Sequence, residues 1–159
     1  MVLSKRWKFL WMLVPRLRYD RDEYQVGACE SMRFRRLIHT SLVLHKVPVI
    51  ESLNISISPM SDAYEDIQVC VGTAIERGVR ELCIHTEICS TGFLIDAPSL
   101  ELLEINKHMG GFCRIEHNMP KIEAANVYVT CSDTEQILSS LTSVEQLRLC
   151  LATSKVTKS

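Results

Sequence analysis

Hydrophobic positions along the chain follow one short pattern that returns six times. The pattern is an apolar residue, two variable positions, usually Leu, one variable position and another apolar residue. Because the side chains of a strand alternate between its two faces, each copy predicts a short strand that buries one face. Five copies are clear and the first is degenerate, and their central positions are Leu17, Leu53, Leu82, Leu103, Ala125 and Leu147.

Three of the copies share further residues, which indicates a true repeat. The segments Val47–Ile55, Ala97–Ile105 and Met119–Val127 each place Pro second and Glu fifth. Successive central positions are 36, 29, 21, 22 and 22 residues apart, and the later spacings lie in the range of leucine-rich repeats. A single repeat cannot bury its strand face alone, but a stack of repeats can.

The connectors between these strands differ in length, and their patterns predict different structures. Helices are predicted over 30–46 and 61–77, and a capping box at Ser132 predicts a third helix that ends near Leu141. Residues 92–95 and 112–115 are predicted to be short extended pieces, because repeats of about 21 residues leave no room for a full helix. The apolar stripe of the first helix is Phe34, Leu37, Ile38 and Leu42.

The predicted fold class is therefore α/β. We expect a leucine-rich-repeat solenoid, in which a curved parallel sheet carries helices and loops on its outer side. A length of 159 residues fits one domain or one short repeat array.

Composition narrows the function classes. The chain is 47% hydrophobic and 23% charged, with a formal net charge of −1. A near-neutral chain has no net positive electrostatic field that would attract phosphate backbones or anionic lipids. Neither nucleic acid nor a membrane is therefore an expected partner. The basic stretch 33–36 lies on a predicted amphipathic helix, where its arginines are expected on the wet side.

No catalytic or metal chemistry is expected. The seven cysteines are irregularly spaced and predict reduced thiols in a cytoplasmic or nuclear protein. Cys83, His85 and Cys89, with Cys113 and His117 further on, contain no C-x-x-C pair, so we expect small buried thiols and surface imidazoles instead of a zinc site. The sequence contains no nucleophile elbow, phosphate loop or paired-carboxylate motif, so we expect neither an enzyme nor a cofactor.

The first residues predict an amphipathic helix, since an apolar stripe runs through Leu3, Trp7, Leu10 and Trp11. This phrase closely resembles the last helix of an F-box, which docks receptors onto the Skp-type adaptor of cullin ubiquitin ligases. Residues 13–20 resemble the junction to the first repeat in plant F-box/LRR proteins of the FBD type. The resemblance continues through the segments 41–53, 78–82, 118–127 and 141–144.

This resemblance implies an F-box remnant over 1–13 and a leucine-rich-repeat region over 14–159. It implies a substrate-recognition subunit of an SCF-type ubiquitin ligase, with Leu3, Trp7, Leu10 and Trp11 on the adaptor. The chain departs from the family because the Leu-Pro-x-Glu segment, the two earlier F-box helices, and later repeats with the FBD region are missing. We therefore expect a fragment, a truncated gene product or a partial gene model. In such a chain, contact with the adaptor and the cullin ligase is weakened or lost, and the four residues could instead cap the first repeat.

The positions beside the strand anchors should face outward and form a recognition surface for an unknown target protein. Ser52, Glu81, Cys83 and Gln146 belong to this row, and its alternative interpretation is a solvated sheet face. Two further functions stay open, namely a repeat-only scaffold that recruits no ligase and a nonfunctional truncated product. The residues predicted to bind the target are Asn54, Ser56, His85, Glu104, Asn106, Asn126, Tyr128 and Arg148.

Overall fold

The computed structural model describes residues 9–20, 31–57, 64–86, 93–107, 113–115, 119–129 and 134–151. A short 3-10 helix, Leu10–Leu13, opens the described chain. The strands are β1 (Arg16–Asp20), β2 (Ser52–Ile57), β3 (Glu81–Thr86), β4 (Phe93–Ile95), β5 (Leu102–Lys107), β6 (Cys113–Ile115), β7 (Ala124–Val129) and β8 (Gln146–Leu151). The α-helices are α1 (Ser31–Leu44), α2 (Tyr64–Glu76) and α3 (Thr134–Ser140).

Six of the strands form one parallel sheet in the order β1-β2-β3-β5-β7-β8. Each strand of the repeat therefore lies beside the strand of the next repeat, as stacking requires. The six central positions predicted from the sequence are direct register partners across the sheet, from Leu17 through Leu53 and onward to Leu147. The alignment of the repeats is confirmed, including the degenerate copy at Leu17.

The connectors form a second layer that follows the same order as the strands. Helix α1 packs on α2, α2 contacts β4, and β6 contacts α3, while β4 and β6 pair as a two-stranded parallel sheet. The predicted helices over 30–46 and 61–77 and near Leu141 are confirmed within a few residues, and the predicted extended pieces are β4 and β6. The capping box at Ser132 lies outside the described residues.

The core lies between the two layers. Leu53, Leu82 and Leu103, with the isoleucines two residues after each, are fully buried, because every second side chain of a strand points inward. The last strand is an exception, since Leu147 of β8 is exposed although the repeat pattern predicts it in the core. Among the described strands, β8 has a neighbour on one side only, so this anchor is covered from one side.

The predicted apolar stripe of α1 is correct at Phe34, Ile38 and Leu42, which are buried, and wrong at Leu37, which is 43% exposed. At about 100° per residue, Leu37 lies about 60° from Phe34 on the side away from Ile38. The buried stripe is therefore narrower than the sequence predicts. None of the helices in the described segments combines the length and the apolar character needed to cross a membrane.

A row of backbone carbonyls fixes where the strands begin. The carbonyl just before one strand accepts two N–H groups at the start of the next, so neighbouring strands begin at one level whatever the length of the connector. For example, the Glu101 carbonyl accepts bonds from Glu123 at 2.8 Å and Ala124 at 3.2 Å. The carbonyls that act in this way belong to Pro15, Glu51, Arg80, Glu101 and Glu123.

The N-terminal segment is fastened to the end of α1 by a small polar cluster. The imidazole of His45 is buried, and its Nε2 lies 2.7 Å from the Val14 carbonyl, to which it can only donate. The Lys46 N–H donates to the Met12 carbonyl at 2.9 Å, and Arg77 donates to the His45 carbonyl at 3.0 Å. Met12 is buried as well. The first described turn is therefore held onto the repeats.

The end of α2 requires a glycine, which leads to a prediction. Gly78 has φ +65°, where a side chain is strained, and its N–H donates to the Ile75 carbonyl at 2.9 Å. We expect Gly78→Ala to lower the free energy of unfolding by about 1 kcal/mol. Gly72 is a matched control inside α2, where a Cβ would meet open space, so Gly72→Ala should stabilise by about 0.8 kcal/mol. Urea unfolding measures both, and a neutral Gly78→Ala would contradict the strain.

Candidate interaction surface on the sheet

Three rows of side chains cross the face of the sheet that points away from the helices. Because the strands are parallel and in register, every outward position has a neighbour at the same level on each adjacent strand. The first row is Arg16, Ser52, Glu81, Leu102, Ala124 and Gln146. The middle row is Arg18, Asn54, Cys83, Glu104, Asn126 and Arg148, and the last row is Asp20, Ser56, His85, Asn106, Tyr128 and Cys150.

The eight predicted target-binding residues all lie on this sheet face, in its middle and last rows. Strand β3 alternates partly exposed and buried residues, as an outward face above a core requires. Tyr128 is the most exposed aromatic residue of the face, at 39%. The structure thus brings the predicted residues together, and their role in binding stays a prediction.

The sequence reasoning missed the contribution of β1 to the sheet face. Arg16, Arg18 and Asp20 extend the three rows by one strand. Their signal was present, because the degenerate copy around Leu17 predicts the same alternation as the others. Leu102 and Ala124 in the first row and Cys150 in the last were also missed.

Ion pairs neutralise much of the charge at the β1 side. Arg16 lies 3.5 Å from Glu51 and 3.3 Å from Glu81, and the guanidinium of Arg18 lies 2.9 Å from Asp20. Such exposed pairs each contribute about 0.2–1 kcal/mol. They therefore orient side chains on this part of the sheet face more than they stabilise the fold.

The centre of the face contains a thiol between two carboxylates. Burial, then the Coulomb effects of Glu104 and Glu81, raise the pKa of Cys83 to about 11. The thiol is protonated at neutral pH, which suits neither a nucleophile nor a metal ligand. Among the residues that the structure describes, no group of three His, Cys, Asp or Glu side chains could hold a metal ion. Cys89 and His117 lie outside those residues, as does the side chain of Cys113.

This environment predicts selective alkylation of the cysteines. At pH 7.5 the thiolate fraction of Cys83 should be on the order of 100-fold below that of an ordinary thiol. We expect iodoacetamide to label the exposed Cys150 faster than Cys83, with labelling of Cys83 rising as the pH approaches its pKa. Peptide mapping by mass spectrometry measures both rates, and unfolding in urea should make them converge. Equal rates in the native chain would contradict the assigned environment.

The structure describes two of the four predicted adaptor-binding residues. Leu3 and Trp7 lie outside the described residues, whereas Leu10 and Trp11 lie on the 3-10 helix and are each about two-fifths exposed. Within the described residues, Trp11 is left exposed at 40%. Exposed apolar side chains concentrate in two segments that the His45 and Lys46 hydrogen bonds hold together. This N-terminal apolar patch consists of Phe9, Leu10, Trp11, Leu13, Val14, Val43, Leu44 and Val49.

An in-order parallel sheet with regularly buried Leu and Ile, covered by helices and short strands, defines an α/β protein compatible with a leucine-rich-repeat fold. Comparisons with known proteins agree. An F-box/FBD/LRR-repeat protein of Arabidopsis thaliana is 30% identical over 96% of this chain and 60% of its own length. An FBD-associated F-box protein of the same plant is 28% identical over 98% of this chain and 61% of its own length. The chain is thus a homologue of plant F-box/FBD/LRR-repeat proteins, at 27–30% identity over most of its length.

A third Arabidopsis relative, an F-box protein, is 29% identical over 95% of this chain and 58% of its own length. The chain thus spans about 60% of the length of these relatives. Their names describe an F-box, leucine-rich repeats or an associated FBD region, and none of these three names an enzymatic activity. No profile of a protein family matches the chain. No solved structure matches it either.

Proposed function

We propose that the chain is the substrate-recognition part of an SCF-type ubiquitin ligase. The observation that carries this proposal is the sheet face, where polar and aromatic side chains of six in-register strands form one continuous, partly exposed surface. Repeat arrays commonly bind partners on such a surface. Homology to F-box/FBD/LRR-repeat proteins supplies the link to ubiquitin ligases.

In this proposal the protein acts by positioning. The N-terminal apolar patch binds a Skp-type adaptor, which connects the chain to the cullin ligase, and the sheet face holds the target. The transfer of ubiquitin is the work of other subunits, and the chain contributes no catalytic group of its own. Exposed apolar patches commonly mark protein contacts, which supports the first of these roles.

The same proposal covers the architecture of the whole chain. Residues 1–13 form the end of an F-box, and residues 14–159 form a leucine-rich-repeat solenoid whose sheet curves around the target. The steady spacing of about 22 residues between the later strands supports this curvature, because identical steps between repeats accumulate. The proposal assigns the protein to the cytoplasm or the nucleus, which the irregular spacing of its cysteines supports, because it predicts reduced thiols.

A second candidate is a repeat-only scaffold that binds a partner and recruits no ligase. One observation favours it: Met12 is buried, and the backbone at Met12 and Val14 is bonded to the end of α1. A segment fastened in this way can serve as the cap of the first repeat. The two candidates differ in whether Leu10 and Trp11 contact an adaptor.

Binding to a purified Skp-type adaptor separates the two candidates. We expect the chain to be retained at micromolar concentration and Trp11→Ala to weaken binding about 10-fold, because interfacial tryptophans are frequent hot spots. Val69→Ala is the matched control, since Val69 is an exposed apolar residue on α2, outside the N-terminal apolar patch. Biolayer interferometry measures all three. Absence of binding by the natural chain would contradict the ligase role and favour the scaffold.

A further inference from the structure

Three glutamates lie side by side where the last strands of the sheet begin. Glu101, Glu123 and Glu145 occupy the same position before β5, β7 and β8. The N–H of Glu123 donates to the Glu101 carbonyl at 2.8 Å, and that of Glu145 donates to the Glu123 carbonyl at 3.1 Å. Because neighbouring strands are about 4.8 Å apart, this carboxylate row extends over about 10 Å.

Among the residues with described positions, positive charge reaches only the Glu101 end of the carboxylate row. Arg80 lies 3.8 Å from Glu101, whereas Glu123 and Glu145 are exposed and have no cation within 4.0 Å among the described residues. Like charges on adjacent strands repel each other. No described cation offsets the repulsion between Glu123 and Glu145, and a cationic partner would relieve it.

Negative charge continues from the carboxylate row onto the sheet face. Glu81 and Glu104 flank the Cys83 thiol and both raise its pKa, although Glu81 also lies 3.3 Å from the guanidinium of Arg16. Glu104 has the imidazole of His85 at 3.7 Å, a contact that is ionic only when His85 is protonated. From β3 to β8, the described positions on the face and just before its strands hold five carboxylates and two guanidinium groups: Glu81, Glu101, Glu104, Glu123, Glu145, Arg80 and Arg148.

The sheet face also offers one exposed aromatic side chain. Tyr128 lies in the last row, between Asn106 and Cys150. Tyr128 offers an exposed ring on which a guanidinium or ammonium group can stack.

We propose that the sheet face binds a basic segment, an extended stretch of a target protein whose Lys or Arg side chains lie along Glu101, Glu123 and Glu145. This inference rests on the proposed function, because it names the chemistry of the target bound at the same face. Charge complementarity specifies the partner: the carboxylate row takes the cations, and the exposed Tyr128 ring takes a stacked cation. An acidic or neutral segment would leave these groups uncompensated.

Fluorescence anisotropy with labelled 12-residue peptides tests the proposal. The probes are a peptide of alternating Lys and Ser and a peptide of alternating Glu and Ser. We expect the natural chain to bind the lysine peptide more tightly, and Glu123→Gln with Glu145→Gln to weaken that binding about 3- to 10-fold. Binding should also weaken between 50 and 200 mM salt, because the contacts are exposed ion pairs.

The control is a variant with the same change in net charge. Glu76→Lys on α2 raises the net charge by two, as the double glutamine variant does, at an exposed position away from the sheet face. We expect its affinity for the lysine peptide to stay within about twofold of the natural value. Equal losses in both variants would show a general charge effect and would overturn the proposal, as would equal affinity for the two peptides.

Adaptor binding, measured on the same preparations, separates this inference from the proposed function. If the adaptor still binds and the two glutamine substitutions leave the affinity for the lysine peptide unchanged, the inference fails and the ligase role stands. If the adaptor does not bind while the peptide shows the expected pattern, the ligase role fails and a scaffold for basic segments remains. Circular dichroism confirms that each variant is folded, since glutamine is nearly the same size as glutamate.

Discussion

We expect Leu103→Ala to lower the free energy of unfolding by about 3 kcal/mol, which is a large part of the stability of a small domain. Leu103 is fully buried at the centre of the sheet, with Leu82 and Ala125 as its register partners. The backbone on both sides is held by parallel hydrogen bonds, so the cavity cannot close by collapse. Urea unfolding followed by circular dichroism measures the loss.

Two comparisons make this prediction specific. Val43→Ala removes two methyl groups from a residue that is 64% exposed on α1, and it should cost less than about 0.5 kcal/mol. Ala125→Leu combined with Leu103→Ala exchanges a large and a small side chain between adjacent strands and should recover part of the loss. Similar losses at Val43 and Leu103 would contradict a core centred on the repeat anchors.

The second large effect is expected at His45. His45→Ala removes a buried ring and the donor to the Val14 carbonyl, so we expect it to lower the free energy of unfolding by about 2 kcal/mol. His45→Gln keeps an N–H donor and should lose about half as much. Unfolding in urea gives both values.

Hydrogen exchange shows which part of the chain loses stability in His45→Ala, and so checks the role of the imidazole. The Lys46 N–H is bonded to the Met12 carbonyl beside the imidazole, so its hydrogen exchange should accelerate in His45→Ala. The amides of β5 should exchange as before, because they lie three strands away from β1. If His45→Ala left both stability and Lys46 exchange unchanged, the imidazole would have no part in fastening the N-terminal segment.

The sheet could be predicted from the sequence because its repeat is local. Each strand is predicted by an apolar residue three positions before its anchor and another apolar residue two positions after it. Stacking of the repeats then sets the strand order. Even Ala125, which is not a leucine, could be aligned through the Pro and Glu that precede it. The secondary structure of the outer layer could be predicted from the lengths of the connectors, since only the longer connectors have room for α1 and α2.

The interaction surface could be predicted only as far as the alternation of side chains along each strand determines it. Which side chains face outward follows from strand periodicity, but their electrostatics depend on neighbours that are far apart in sequence. Glu123 and Glu145 are 22 residues apart, and only the register makes them adjacent. The raised pKa of Cys83 depends on Glu104 from the next strand for the same reason.

The N-terminal segment shows a different limit of sequence reasoning. Its apolar spacing predicts an amphipathic face, but the pattern does not say what covers that face. In the structure, Met12 turns toward the repeats while Leu10 and Trp11 are exposed. The division between them depends on the hydrogen bonds of His45 and Lys46, which no local periodicity encodes.

The row of carbonyls at the strand starts has a consequence for how such proteins diversify. Each strand is aligned by the backbone just before it, so a connector can gain or lose residues without shifting the sheet face. The repeats already range from 36 to 21 residues under this arrangement. Insertions and deletions can therefore accumulate in the outer layer, while the sheet face changes only by point substitutions. Selection can then act on the two kinds of mutation independently.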